Sequence, residues 1–530
     1  MKLNLKDLNN PQYKEHNYNL PQYDILEMRA NTKVNPEWIH FGAGNIFRAY
    51  PAKLHQFLLN KGLTKTGIIV AEGFDYEIID KVFTPYDLLT LSVILKADGT
   101  IEKEVIASMA EALKFDPSFD NDFARIVEVF QNKSLQIASF TITEKGYELQ
   151  NSNKEYFANV LEDFKDGTKN PTSYLGKVAY LLLKRFEANK APLTLVSMDN
   201  YSHNGTKLKN SILDIANHWL DNGLVTPEYI TYLNNDVSYP WSMIDKITPR
   251  PDALVADLLA KDGFEDHNAF VTARNTYVAP FVNAEEAEYL VIEDNFKNGR
   301  PPLDKEGVIF TSQDTVDKVE KMKVCTCLNP LHTGLAIYGC LLGYEKISEQ
   351  MKDETLVKMT EAIGYKEGLP VVVDPGIINP KEFIDEVINV RLPNPFMPDT
   401  PQRIATDTSQ KLSIRFGETI KEYQKLNKVN DLVVIPLVLA GWIKYLMGLN
   451  DDGVKFEVSS DPLFNEVYPF VENLKLGDSV TTDELKDLLK NKAIFGVDLF
   501  EVGLADLVVS YFNELNKEKG SIRTTLNKYV

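Results

Sequence analysis

Cysteine is scarce: Cys325, Cys327 and Cys340 are the only three in 530 residues. Three thiols form no even disulfide framework and no CxxC pair, so a reducing compartment is expected. The Cys-x-Cys spacing with His332 nearby is a poor zinc arrangement, and no metal is expected. Excess positive charge is missing as well, since 57 Lys and Arg stand against 76 Asp and Glu for a formal net charge of −19. The acids are spread along the chain rather than gathered in a tail. That balance argues against nucleic acid or an anionic membrane as partner, yet a local basic pocket could still hold an anionic small substrate. The N-terminal MKLNLKDLNNPQYKEHNYNL has no apolar signal core, and no later run is long and apolar enough to span a bilayer. A cytoplasmic protein is expected. Regular repeats and low-complexity tracts are also absent.

What is present describes a globular chain with ample core, 44% hydrophobic and 25% charged, long enough for two or three domains. Residues 1–30, polar and rich in Asn and Tyr, suggest an N-terminal arm. Then WIHFGAGNIFRAYPAKLHQFLLNKG reads as a strand, a glycine turn and an amphipathic helix, the first unit of a dinucleotide-binding fold. Gly42 permits the tight turn. Gly44 lets a pyrophosphate approach the backbone where Asn45 and Ile46 open the helix. The usual third glycine is Phe47. The following strand, GIIVAEGFD, ends in Glu72 and Asp75. Either carboxylate could accept from a ribose hydroxyl and favour NAD over NADP, and either could equally be a solvated loop acid.

The runs LLTLSVIL, LQIASFTITEKGY and LTLVSMDNYSHNG are strand-like, with helical stretches at 118–131 and 173–189 between them. Strands alternating with helices indicate a mostly parallel sheet, with ligands at the carboxyl ends of its strands. Two of those ends are chemically loaded, one with Thr143, Glu144 and Lys145, the other with Asp199, Asn200 and His203. Ordinary turn chemistry would select similar residues. From about 312 the pattern turns helical. The expected fold is therefore an α/β Rossmann-type domain over 31–311 and a mainly α-helical substrate domain over 312–530. DLVVIPLVLAGWIKYLMG, apolar nearly all round, is expected as a buried bundle helix. LPVVVDPGI could be a short strand or an extended loop, and 451–492 is acidic and loop-rich.

The stretch KMKVCTCLNPLHTGL, residues 321–335, sets a lysine, an amide and an imidazole within three turns. A lysine can relay a proton, and Asn329 can donate to a developing oxyanion. His332 shares a helix face with Asn329. Carbonyl reduction uses that combination, although a core helix with a capping Asn and a satisfied His would look the same.

The motifs FGAGNIFRAY, TITEKGY, SMDNYSHNG, YPWSMIDKITP, VIEDNFKNGRP, LNPLHTGLA, RLPNPFMPDTPQRIATDTSQKL and LAGWIKY occur in this order. Together they resemble the polyol-specific long-chain dehydrogenase/reductase family, the mannitol dehydrogenase group, from about Trp38 to Val530. The resemblance implies zinc-independent, NAD(H)-dependent interconversion of a secondary alcohol and a ketone, with the site in a cleft between a Rossmann-type and a helical domain. Carried over by motif, Lys323 is the general acid/base, Asn329 and Asn200 hold the oxygen, His332 orients, Asp199 and Asp245 lie on the cofactor side, and Arg403 and Lys411 bind substrate. TITEKGY, VIEDNFKNGRP and the segment around IFGVDLF look most like the branch that converts D-fructuronate to D-mannonate. Mannitol 2-dehydrogenases and tagaturonate reductases are the alternatives, and a non-catalytic NAD-binding protein is a more distant one. The implied partners are a small sugar acid or polyol, with the chain a monomer or small homo-oligomer.

One departure from the family pattern concerns the lysine, usually five residues before the Asn and here six. On an unbroken α-helix, Lys323 and His332 would point to opposite faces. Either a π-bulge absorbs the extra residue, or the helix breaks and restarts at Pro330. Lys321 is the alternative lysine.

Overall fold

A computed structural model describes all residues, 1–530. The chain divides into two compact units, residues 1–95 with 100–316, and residues 317–530 with the turn 96–99.

The first unit is built on a six-stranded sheet. Its strands in chain order are β1 (Trp38–Phe41), β2 (Ile68–Glu72), β3 (Met109–Lys114), β4 (Ile137–Phe140), β5 (Leu193–Ser197) and β6 (Val237–Ser238). They lie side by side as 3-2-1-4-5-6, and every pairing is parallel. This is the doubly wound dinucleotide-binding order, whose chain reversal between β1 and β4 opens a crevice at the carboxyl ends. β1, β2, β4 and β5 are buried along their whole length, which is why they read as apolar runs without alternation. Helices Asp120–Gln131, Tyr174–Ala188 and Asn204–Asp221 supply Ile126, Val178, Leu182, Leu208 and Trp219 to one core cluster with Phe41 and Phe140. Helix Pro51–Asn60 brings Leu54 and Leu58 into the other, with Trp38, Ile68 and Val70.

Two sequence expectations are corrected here. The strand within LLTLSVIL, Thr90–Leu95, lies outside the parallel sheet. It pairs antiparallel with Ile101–Ile106 and parallel with Phe281–Glu285 in a separate four-stranded sheet. The third parallel strand is instead Met109–Lys114. Residues 1–30 are also no loose arm. Tyr18–Asn19 pairs with Lys103 and Glu104, helix Ile25–Val34 follows, and Met1, Leu3 and Tyr13 are buried. The motif strands Ser242–Asp245 and Tyr289–Glu293 pair antiparallel, with Asp245 opposite Tyr289.

The second unit is helical around Val434–Leu446, all thirteen residues of which are buried. The N-terminus of that helix is closed by the buried Glu367 carboxylate, which accepts from the backbone N–H groups of Val433, Val434 and Ile435 at 2.8, 2.6 and 2.7 Å. A carboxylate there meets both the unpaired N–H groups and the positive end of the helix dipole. LPVVVDPGI forms a 3-10 turn and irregular chain rather than a strand. No helix is long and apolar enough to cross a membrane.

Candidate active site

In the first unit, Gly42 follows β1 with φ +106°, and a Cβ there would lie 2.3 Å from the Thr141 carbonyl oxygen beyond β4. Only glycine fits that left-handed turn between adjacent strands. Gly44 differs, because a Cβ there would meet nothing within 4 Å. Between Trp38 and Tyr50 the chain is buried except at Gly44, Asn45 and Ile46. The helix Asn45–Ala49 that starts there has no side-chain cap for its first N–H groups. Phe47, in place of the third glycine, is buried and stacks on His40 at 4.4 Å between ring centroids. Asn45 accepts from the Arg48 guanidinium at 2.8 Å. A cradle open at Gly44 and closed around it fits the diphosphate of a dinucleotide. Close by, the Tyr174 hydroxyl is buried without a partner, its ring against Gly73 just beyond β2.

The two acids expected at the ribose are already engaged. Glu72 is buried, and its carboxylate accepts from Ala43 N at 2.8 Å, Phe74 N at 2.8 Å and Asp75 N at 3.0 Å. It thereby ties the glycine turn to the loop after β2. Burial raises its pKa despite these three bonds. Asp75, also buried, accepts from the Thr272 hydroxyl at 2.6 Å.

At the end of β5, Asp199 accepts from Ile142 N, Thr143 N and the Tyr147 hydroxyl at 2.9, 3.0 and 2.7 Å. It holds Thr143 at φ +65°, a left-handed conformation that a β-branched residue rarely adopts. Burial raises the pKa of Asp199. Asn200 is exposed beside it. The residue overlooked in the sequence is Asn204, fully buried, whose amide joins the Asp199 carbonyl (3.1 Å) to Ser242 N and O (3.0 Å each). Asn204 thus fixes the Asp199–Asn200 turn to the strand carrying Asp245. An Asn just inside a glycine-containing turn was the available signal. Asp245 itself is buried at the end of that strand.

In the second unit, helix Gln313–Met322 gives way to a π-helical segment, Lys323–Cys327, closed by Leu328 N to the Lys323 carbonyl at 3.1 Å. The chain breaks at Leu328 (φ −124°, ψ −62°), and helix Asn329–Leu342 begins with Pro330 in its first turn. Both devices foreseen for the extra residue are therefore present. The π segment widens the turn under Lys323, while Pro330 restarts the helix and sets Asn329 and His332 one turn apart. Lys323 is buried at 4% exposure. Lys321 points outward, its side chain 55% exposed and paired with Asp317 at 2.7 Å. The three cysteines are free, and burial pushes their thiols up to about 11, 12 and 12, so none is a nucleophile near neutrality.

His332 lies in a nest of charge. Its Nε2 is 3.6 Å from the Asp399 carboxylate. Burial, partly opposed by Asp399 and reinforced by Arg415, Arg391 and Arg403, lowers its pKa to about 4. The imidazole is therefore neutral at pH 7. Arg403 is ion-paired to Asp399, with its side chain 59% exposed. Lys411 donates to the carbonyls of Ile404 and Thr406. Both cations chosen from sequence thus have partners within the fold. Two that were not chosen, Arg391 and Arg415, also act electrostatically on the same imidazole. No group of three or more His, Cys, Asp or Glu side chains is arranged to hold a metal.

A doubly wound dinucleotide fold joined to a helical unit that carries lysine, amide and imidazole defines the class, an oxidoreductase of the dehydrogenase/reductase type. Residues 36–305 match the mannitol dehydrogenase Rossmann domain, and residues 315–515 match the mannitol dehydrogenase C-terminal domain. The chain belongs to the mannitol dehydrogenase family. It is 52% identical over 515 residues to a protein of Thermotoga maritima named D-mannonate oxidoreductase, covering 96% of this chain and 95% of that one. Among solved structures, a substrate-free D-sorbitol dehydrogenase superposes with a TM-score of 0.78 at 26% identity, covering 95% of this chain and 96% of the other. The mannitol 2-dehydrogenase of Pseudomonas fluorescens, in ternary complex with NAD and D-mannitol, gives 0.68 at 25% identity, covering 100% and 99%.

Proposed function

We propose that this chain interconverts D-fructuronate and D-mannonate with NAD(H), the sugar acid being held in the helical unit. The observation that carries the reading is the 52% identity, over nearly the whole of both chains, to a protein named D-mannonate oxidoreductase. The excess of guanidinium groups around His332 supports an acidic substrate over a neutral polyol. NAD is favoured by the neighbouring structure that holds it together with a polyol. Gly44, Asn45 and Ile46 would hold its diphosphate on the first unit, where the open cradle has room for it.

NADH, when bound, would supply the hydride. Lys323 delivers the proton to the oxygen that the reduced carbonyl leaves negative, and recovers it when the reaction runs toward the ketone. Asn329 is the amide donor for that oxygen on the helical unit. Such donors are typically worth ~3–4 kcal/mol each toward the transition state. His332, neutral through burial, holds a substrate hydroxyl or the lysine in place without adding charge. Asp399 stands 3.6 Å from the imidazole Nε2 and is ion-paired with Arg403.

Replacing Lys323 by alanine tests the assignment. The expected result is a loss of about 10²–10⁴ in kcat/KM for fructuronate, with the NADH dissociation constant unchanged. A variant within tenfold of the parent would remove Lys323 from the reaction.

A further inference from the structure

Arg415 differs from the cations around it. Its only side-chain hydrogen bond is from Nη1 to the Thr333 hydroxyl at 2.5 Å. No carboxylate pairs with it, and burial alone lowers its pKa to about 10. A guanidinium offers five N–H donors in a rigid fork. One is used here, by a neutral acceptor. Arg415 is half-buried, and a cation taken partly out of water without a counter-charge carries a cost that folding by itself gives no reason to keep.

Its surroundings say what is missing. Thr333 reaches back to the Asn329 carbonyl at 2.8 Å, so Arg415 is tied to the turn that carries Asn329 and His332. The His332 Nε2 is itself buried without a hydrogen-bond partner. A guanidinium without a carboxylate and an imidazole nitrogen without a hydrogen bond, its nearest carboxylate being Asp399 at 3.6 Å, therefore flank the same turn. Arg415 also lies on a π-helical segment, Ser413–Gly417, as Lys323 and Arg391 lie on Lys323–Cys327 and Val387–Arg391. Such segments gather at functional positions because they present a side chain that regular helix would bury or turn away. Gly417 holds this one close, since a Cβ there would lie 2.3 Å from the Phe495 carbonyl oxygen.

We propose that Arg415 is the receptor for the substrate's carboxylate and so the residue that selects a sugar acid over a neutral sugar. The carboxylate would take a two-pronged pair with the guanidinium, the geometry for which arginine is better suited than lysine. Arg403 is held by Asp399 and stands mostly in solvent, so it screens the site without being its anion receptor. The inference rests on the sugar-acid reading above.

The experiment compares kcat/KM with NADH for D-fructuronate and for its neutral amide, D-fructuronamide, in the parent, Arg415→Gln, Arg415→Lys and Arg403→Gln. Binding of D-mannonate is measured by calorimetry alongside. The expected result is a loss of about 10- to 100-fold on the acid for Arg415→Gln, at least tenfold larger than its loss on the amide. D-mannonate binding should weaken in parallel. Arg415→Lys should recover part of the acid activity, and Arg403→Gln should lower acid and amide alike. Equal losses on both substrates in Arg415→Gln and Arg415→Lys, with NADH binding intact, would make Arg415 structural and overturn the proposal. So would a selective loss in Arg403→Gln alone. A parent enzyme that treats acid and amide alike would fail earlier, at the sugar-acid reading itself.

Discussion

Replacing Glu72 by glutamine separates two roles for this carboxylate, a tie within the fold or a ribose ligand. As a tie, it accepts three backbone N–H groups, from Ala43, Phe74 and Asp75. The glutamine oxygen can keep Phe74 and Asp75, but its amide nitrogen then faces the Ala43 N–H, donor against donor. A buried N–H left unpaired costs ~1–3 kcal/mol. The two remaining bonds also fall from charge-assisted to neutral, at roughly 1 kcal/mol each. Burial disfavours the ionised carboxylate, as its raised pKa records, and the neutral amide recovers part of that, leaving a net loss of about 2 kcal/mol. Urea unfolding reads this directly, and fluorescence titration with NADH and NADPH reads the consequence for the glycine turn. Both cofactors should weaken in similar proportion, because the turn they share is loosened. Unchanged stability, with NADH weakened and NADPH held or improved, would refute the tie and return Glu72 to the ribose.

The two glycines of the turn should behave differently. Gly42→Ala places a methyl 2.3 Å from a backbone oxygen at φ +106° and is expected to abolish folding or NADH binding, whereas Gly44→Ala meets nothing within 4 Å and should keep the parent melting temperature while weakening NADH. Circular dichroism melts with NADH titration check both, and equal behaviour would contradict the separation of turn from cradle. Burial lowers His40 to about 3, and His55 and His332 to about 4. The unfolded chain therefore takes these protons first as pH falls below ~6.5, and stability present above that value is lost as pH drops toward 4, by up to ~3 kcal/mol per histidine. A melting temperature flat between pH 6.5 and 4.5 would contradict this.

The glycine turn after Trp38, the buried helix at Val434–Leu446 and the irregularity at Lys323 were all legible in the sequence, because each is a local matter of spacing or composition. The π segment in particular follows from one surplus residue and one proline. Met109–Lys114 was not legible as a strand, since MAEALK consists largely of good helix formers and only pairing with Ile68–Glu72 makes it extended. Thr90–Leu95 has strong strand composition, but composition does not say which sheet a strand joins. The cations are hard to tell apart from sequence for a related reason. Arg403, Lys411 and Arg415 look alike in a helical pattern, and only tertiary packing shows the first two partnered and the third half-buried without an anion. Glu72 matched the position of a ribose acceptor, and of its three backbone partners Phe74 and Asp75 are chain neighbours, whereas Ala43 is brought to it only by the fold.

The central claim is that this member of the mannitol dehydrogenase family acts on a hexuronate. NADH oxidation with D-fructuronate, D-tagaturonate and D-fructose, measured side by side on the purified 530-residue chain, is the test. The highest kcat/KM is expected for fructuronate. Preference for fructose would contradict it and place the chain among the polyol dehydrogenases, and silence on all three with NADH still bound would contradict catalysis by Lys323 altogether.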